Sequence, residues 1–270
     1  VLASPQPLLE AESSRRVLAA LFPEDQLDRF SQRTGVDPRR LTQLVLADHP
    51  EGRVLIARGP FDPAFAVEEA GERMAPLEAS VDRPWVRRAG FLGRRRVDLA
   101  AVGDALVWVE GTPQLAAEVL ALARRPANRR RHALAGDTVR ELHEAYGEAP
   151  LAMLAPHPLG LPLETGVGML LAREQALVVS VRPDGSTIRV ELELRGEFPP
   201  GAEENFRALA RSLAETELGA ILGLREALPS LRIEADEARV VLRAELDPVL
   251  LSVGLRALLV AELPELVGGS

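Results

Sequence analysis

Four histidines are the only side chains in this sequence that ordinarily titrate near neutrality. Two of them stand in similar settings: His49 in Asp48-His49-Pro50 and His157 in Pro156-His157-Pro158, each at the end of an apolar strand pattern. A matched pair of histidines could hold a metal across a pseudo-twofold axis. Such a site needs further ligands, and Asp48 is the only neighbour of the right type. His49 and His157 are therefore weak metal candidates, and the expectation is no metal. His132 and His143 fall in a basic stretch and a helical stretch, with no His-Glu-x-x-His spacing between them.

The other groups that do chemistry are few. There is no cysteine, which removes thiol catalysis, thiolate metal sites and disulfides. All 32 basic residues are arginine, so no lysine can serve a phosphate loop or form a Schiff base. No serine occupies a Gly-x-Ser-x-Gly turn. Paired acids such as Glu203-Glu204 sit where a helix opens, and there they complement the helix dipole. The expectation is a protein that is not an enzyme and carries no cofactor. A hydrolase-type or metal-dependent enzyme is the third reading.

Two stretches offer binding chemistry instead. Residues 159–174, LGLPLETGVGMLLARE, are strongly apolar, and Leu161, Val167, Met169 and Leu170 are the candidates to line a ligand groove or a docking surface. Arg83 to Arg96, RPWVRRAGFLGRRR, interleave arginine with Trp85 and Phe91. Alternate strand positions share a face, so Arg87, Arg94 and Arg96 are candidates for a basic stripe toward a ligand or partner. The aromatic motif of RNA-binding sheets is absent and the chain is acidic overall, so nucleic acid is not an expected partner. The expected partners are an unknown protein or a second copy of the chain, with an apolar ligand as the alternative.

The elements that must position these residues come from a pattern written twice. LIARGPFDPAFAVEEAGERM runs from Leu55 to Met74, and LELRGEFPPGAEENFRALARSL from Leu192 to Leu213. Each reads as an apolar strand, Arg-Gly, phenylalanine, one or two prolines and a helix. Around them the order hairpin, helix, hairpin, helix recurs. Arg58-Gly59 corresponds to Arg195-Gly196, Pro63 to Pro200, and Thr112-Pro113 to Asp247-Pro248. Aspartate or threonine before proline is a helix start, because the side chain caps free N–H groups and proline has none to waste. Pro183-Asp184-Gly185 marks a hairpin turn. The expected fold is α+β: a tandem repeat of two ββαββα units, each a permuted ferredoxin-like sandwich with an antiparallel sheet, two helices on one face and a lead-in helix. The expected boundaries are a first repeat over 1–127 with a helical prefix, a basic linker over 128–136, and a second repeat over 137–270 with the insertion at 159–174. The last helix, PVLLSVGLRALLVAELPELV, is apolar nearly all round and too short to span a membrane. It is expected to be buried, with an oligomer or partner interface as its next use.

Composition bounds the class. Hydrophobic residues make up 47% of the chain and aromatic ones 4%, so the cores must be aliphatic. Arginine without lysine is the footprint of a GC-rich bacterial genome. The net charge of −8 is uneven: residues 1–135 hold 20 arginines against 18 acids, and residues 136–270 hold 12 against 22. The opening VLASPQP has the small, Pro-rich character of a tether behind an export signal. The expectation is an exported, non-enzymatic bacterial binding or scaffolding protein of the periplasm or cell envelope, with a cytoplasmic protein as the alternative. A small-molecule or lipid carrier with a groove between the repeats is the second functional reading.

Overall fold

Continuous apolar runs and alternating ones produce two different kinds of sheet in this chain. The computed structural model describes residues 1–77, 87–124, 141, 144–155 and 174–267, with the side chains of 124, 174, 175 and 258–267 left aside. The chain divides into two compact units, one of residues 1–6 and 24–135, the other of residues 7–23 and 136–270.

In the first unit, β1 (Gln43–His49) and β2 (Gly52–Arg58) form a hairpin in register from Gln43↔Arg58 to His49↔Gly52. Helix α3 (Pro63–Gly71) follows; Asp62 accepts hydrogen bonds from the amides of Ala64 and Phe65 at its start. Strands β3 (Arg87–Leu92), β4 (Arg95–Val102) and β5 (Ala105–Gly111) complete an antiparallel sheet in which β5 returns to pair with β2. The spatial order is β1-β2-β5-β4-β3, with two-residue strands Leu2–Ala3 beside β1 and Ala75–Pro76 beside β3. Helix α2 (Glu24–Thr34) precedes the sheet and α4 (Pro113–Arg124) closes the unit.

The two helices that follow the hairpins lie on opposite faces of this sheet, which corrects the expected one-sided sandwich. Val97 and Leu99 of β4 pack with Val67 of α3, whereas Ala100 and Val102 pack with Leu115, Ala116 and Leu120 of α4. The sequence carries the physical reason. Val97–Val102 and Ala105–Val109 are almost unbroken apolar runs, and a strand apolar on both faces needs cover on both.

In the second unit, β6 (Leu151–Ala155), the hairpin β7 (Glu174–Asp184) and β8 (Thr187–Gly196), and the pair β9 (Arg232–Ala235) and β10 (Arg239–Leu246) form an antiparallel sheet ordered β6-β7-β8-β10-β9. Its central strand alternates: Ile188, Val190, Leu192 and Leu194 face one way, Arg189, Glu191, Glu193 and Arg195 the other. The helices that follow β8 gather on the apolar face, while the helical segment ending at Tyr146 lies against the charged one. Helix α5 (Ala202–Glu215) covers Leu194, Ile233 and Val240 with Ala202 and Phe206. Phe206 meets Phe198 edge to face at 6.0 Å. Helices α6 (Glu217–Ile221) and α7 (Leu224–Ala227) follow, and α8 (Pro248–Val267) brings Leu251 and Leu255 over Ile188 and Leu246.

Three sequence expectations change here. The helical prefix does not stay with the first repeat: α1 (Glu12–Leu21) packs in the second unit, where Val17 joins Ile188, Ala227 and Leu246. Its apolar edge Val17–Leu21 needs a surface, and the helical face of the second sheet supplies it. Pro200 does not open a helix as Pro63 does. Gly201, at φ 82°, makes the turn and α5 begins at Ala202 without a side-chain cap. The final helix is not buried all round, as shown below. The linker at 128–136 and the insertion at 159–174, apart from Glu174, lie outside the described residues.

Candidate functional site

Of the three arginines proposed for a basic stripe, two turn to the same carboxylate. Arg87 Nη2 donates to Asp98 Oδ1 at 2.6 Å, and Arg96 Nε donates to Oδ2 at 3.2 Å. Asp98 is 2% exposed, on the β4 face that α4 covers. A carboxylate placed so deep is tolerable only when paired and hydrogen-bonded. These guanidinium groups therefore serve the fold of the sheet margin. Arg94 is exposed at the β3–β4 turn beside Gly93, so the three do not form one stripe.

His49 Nδ1 accepts from the amide of Glu51 at 3.2 Å and closes the β1–β2 turn. Its neighbour Asp48 accepts from Arg53 Nε at 2.7 Å. Among the described residues no three histidine, aspartate or glutamate side chains converge to hold a metal. His157, Leu161, Val167, Met169 and Leu170 lie outside the described residues, so the groove lining expected from them has no geometry here.

The charged face of the second sheet holds a cluster that the sequence reading missed. The hydroxyl of Tyr146 lies 2.7 Å from Glu191 Oε1 and 2.5 Å from Glu193 Oε2, so its single proton bridges two carboxylates. Arg243 Nε donates to Glu191 Oε2 at 2.9 Å, Arg195 Nε donates to Glu193 Oε1 at 2.5 Å, and Arg243 also reaches Glu234. Burial, followed by the hydrogen bonds to Glu193 and Glu191, pushes the Tyr146 hydroxyl far above the ordinary phenol range. For Glu191, burial works against ionisation. The hydrogen bonds from Arg243 and Tyr146, with the charges of Arg243 and Arg182, overcome it and hold the carboxyl below its usual range. All four carboxylate oxygens have donors, and the phenol stays protonated. The cluster is a clasp that fixes Tyr146 and its apolar neighbours Ala149 and Ala152 against Ala176 and Val178. The alternation of Arg189, Glu191, Glu193 and Arg195 signals a charged face, but nothing in the sequence joins Tyr146 to it.

The second feature is apolar and outward. Along α8, Val249 is 49% and Val253 64% exposed, one turn apart, while Gly254 and Leu255 of the same helix face inward. On α6, Leu218 is 50% and Ile221 36% exposed at helical spacing. The helices that carry the two stripes, α6 and α8, come into close contact at two glycines. A Cβ on Gly254 would come within 2.3 Å of the Ile221 carbonyl oxygen, and one on Gly223 within 2.9 Å of Leu250 Cβ. Asp247 starts α8 by accepting from the amides of Val249 and Leu250, which fixes where the exposed stripe begins. Exposed aliphatic stripes on two touching helices mark interaction surfaces more often than single exposed residues do.

No family model matches the sequence, and no curated protein matches it significantly. Among solved structures, crystal form III of TP0453 is similar with a TM-score of 0.52 at 10% identity, over 95% of this chain and 92% of that one. Crystal form IV of TP0453 gives a TM-score of 0.53 at 9% identity, over 96% and 90%. Likeness at that identity is likeness of fold: a mixed helix and strand architecture with antiparallel sheet. Among the described residues no helix is long and apolar enough to cross a membrane, which leaves strand-built membrane passage unaddressed.

Proposed function

We propose that this chain is a non-enzymatic bacterial binding or scaffolding protein whose working surface is the apolar face of α6 and α8. The observation that supports it is a pair of exposed stripes on two helices in close contact, Leu218 and Ile221 on α6 and Val249 and Val253 on α8. Exposure of this kind has a free-energy cost, about 25 cal/mol for each Å² that a partner could have covered. The same proposal assigns the protein to the periplasm or cell envelope; fractionation that finds it with cytoplasmic markers would overturn that assignment.

The fold carries a related proposal. The order β1-β2-β5-β4 in the first unit and β7-β8-β10-β9 in the second have the same connectivity, which we read as a permuted ferredoxin-like sheet. With the matched Arg-Gly and cap-proline positions, this supports a tandem origin for the two units. On this view α4 of the first copy settled on the second face after duplication.

The functional reading is tested by native mass spectrometry and sedimentation velocity on protein purified under native conditions, beside a Val253→Glu variant. The expected result is a protein partner, a second copy or an apolar ligand retained by the parent and lost from the variant, with circular dichroism unchanged. A bare monomer in both samples removes this face as the working surface.

A further inference from the structure

We infer that the occupant of the α6–α8 face is a basic amphipathic helix of a partner protein; this rests on the reading of that face as the working surface. Charge is the first argument. The elements around the stripes, from Leu213 to Ala227 and from Asp247 to Ala257, carry Glu215, Glu217, Glu226 and Asp247 against Arg225 and Arg256, all exposed. On the sheet of this unit Glu191 and Glu234 are met by Arg243, and Glu193 by Arg195. Glu215, Glu217 and Glu226 form no ion pair among the described residues. The whole half of the chain from 136 onward has 12 arginines against 22 acids, so an approaching cation is favoured from a distance as well as at contact. A second copy meeting this one through the same face would bring like charge to it and is disfavoured by the same sum.

Shape is the second argument. The exposed residues recur at helical spacing, 249 to 253 on one helix and 218 to 221 on its neighbour. The close approach at Gly254 and Gly223 keeps the seam between the helices shallow. A ridge and seam of this form accept another helix laid along them, ridge into groove, with apolar anchors at matching spacing. An added strand would need a free sheet edge, and the described residues of this face are helical. The partner therefore carries an apolar stripe at helical spacing bordered by lysine or arginine.

The probes are two labelled helical peptides with the same leucine stripe, one with lysine and one with glutamate on the remaining positions, titrated onto the full chain by fluorescence anisotropy. The lysine peptide should bind about tenfold or more tightly than the glutamate peptide, and weaken as salt rises. A Val249→Ser, Val253→Ser double variant should lose it. A Glu215→Arg, Glu217→Arg variant should reverse the preference while leaving circular dichroism unchanged. Equal binding of both peptides, abolished by the serine variant, overturns the basic partner and leaves the face as a working surface. No peptide binding with self-association lost in the serine variant overturns it in favour of a second copy. No binding of either peptide together with a bare monomer sinks both this inference and the reading beneath it.

Discussion

Tyr146 is the only tyrosine in the chain, so its ionisation can be followed without interference from another phenol. Held between Glu191 and Glu193, with its ionisation pushed well upward by burial and both carboxylates, it should show no tyrosinate absorbance at alkaline pH until the second unit unfolds. A titration step near the free-phenol value in the folded protein would break the clasp as drawn. Tyr146→Phe should cost about 1–3 kcal/mol, because two carboxylates lose the donor they share. Glu191 gives the opposite pH sign. Its carboxyl is held below the usual range in the folded state, so its contribution to stability is present above the unfolded carboxylate range and is lost as pH falls through the lower folded value. Melting curves from neutral pH into that acid range should fall for the parent and fall less steeply for Glu191→Gln; parallel curves would remove Glu191 as a source of acid sensitivity. Asp98→Ala leaves Arg87 and Arg96 without their shared carboxylate; both are partly open to water, so the cost falls at or below the roughly 3–5 kcal/mol of a broken buried pair, measurable by denaturant unfolding. Of the two histidines first in line as sites from their residue type, His49 closes a turn, and His157 lies outside the described residues.

The helix starts show how far local sequence reaches. Asp62, Thr112 and Asp247 cap their helices through the side-chain contacts their types imply, because a cap depends on residues two or three positions away. The hairpin turn at Pro183–Gly185 is legible for the same reason, with Gly185 at φ 57°. The start of α5 is not, because two prolines followed by glycine allow the helix to begin on either side of Gly201. Where two strands cross, the demand is sharper. Gly52 of β2 pairs with Gly111 of β5, and a Cβ on Gly52 would lie 2.0 Å from the Glu110 carbonyl oxygen, while one on Gly111 would lie 2.3 Å from that of Glu51. Both have φ near 150°, which side-chain-bearing residues rarely adopt. This contact also aligns Glu51 Oε2 with Thr112 Oγ1 at 2.8 Å and so fixes the direction in which α4 leaves the sheet. Gly52→Ala or Gly111→Ala should destabilise the first unit by more than the roughly 1 kcal/mol ordinarily gained or lost at a glycine. Gly103→Ala, with open space at its Cβ, should cost only the strain of its turn. Equal losses at all three in thermal melts would refute the close-approach argument.

Across the molecule, strand order repeats and layering does not, and the difference follows from the period of the apolar residues. The first unit's central strands are apolar at nearly every position and are covered on both sides, by α3 and by α4. The second unit's central strand alternates and is covered by helices on one side, with an ionic clasp on the other. This much was readable in the residues themselves, although the matching hairpin and helix order drew attention to the likeness of the two halves first. The membership of α1 in the second unit was not readable, since Val17 meets Ile188 and Leu246 across most of the chain. Nor was the position of Tyr146, whose partners stand 45 and 47 residues onward. The contrast in period makes a prediction that needs no assumption about function. In a scan of aspartate substitutions read by protease resistance, every position from Val97 to Val102 except Asp98, and from Ala105 to Val109, should be intolerant, because each side chain enters one packed face or the other. Along Thr187–Gly196 intolerance should alternate, severe at Ile188, Leu192 and Leu194 and mild at the solvent-facing Arg189. Burying an unpaired carboxylate costs several kcal/mol, so the two periods should stand clear of background. A period of two in both units would mean that α4 does not cover the second face of the first sheet. A period of one in both would mean that the charged face of the second sheet is packed as tightly as its helical face.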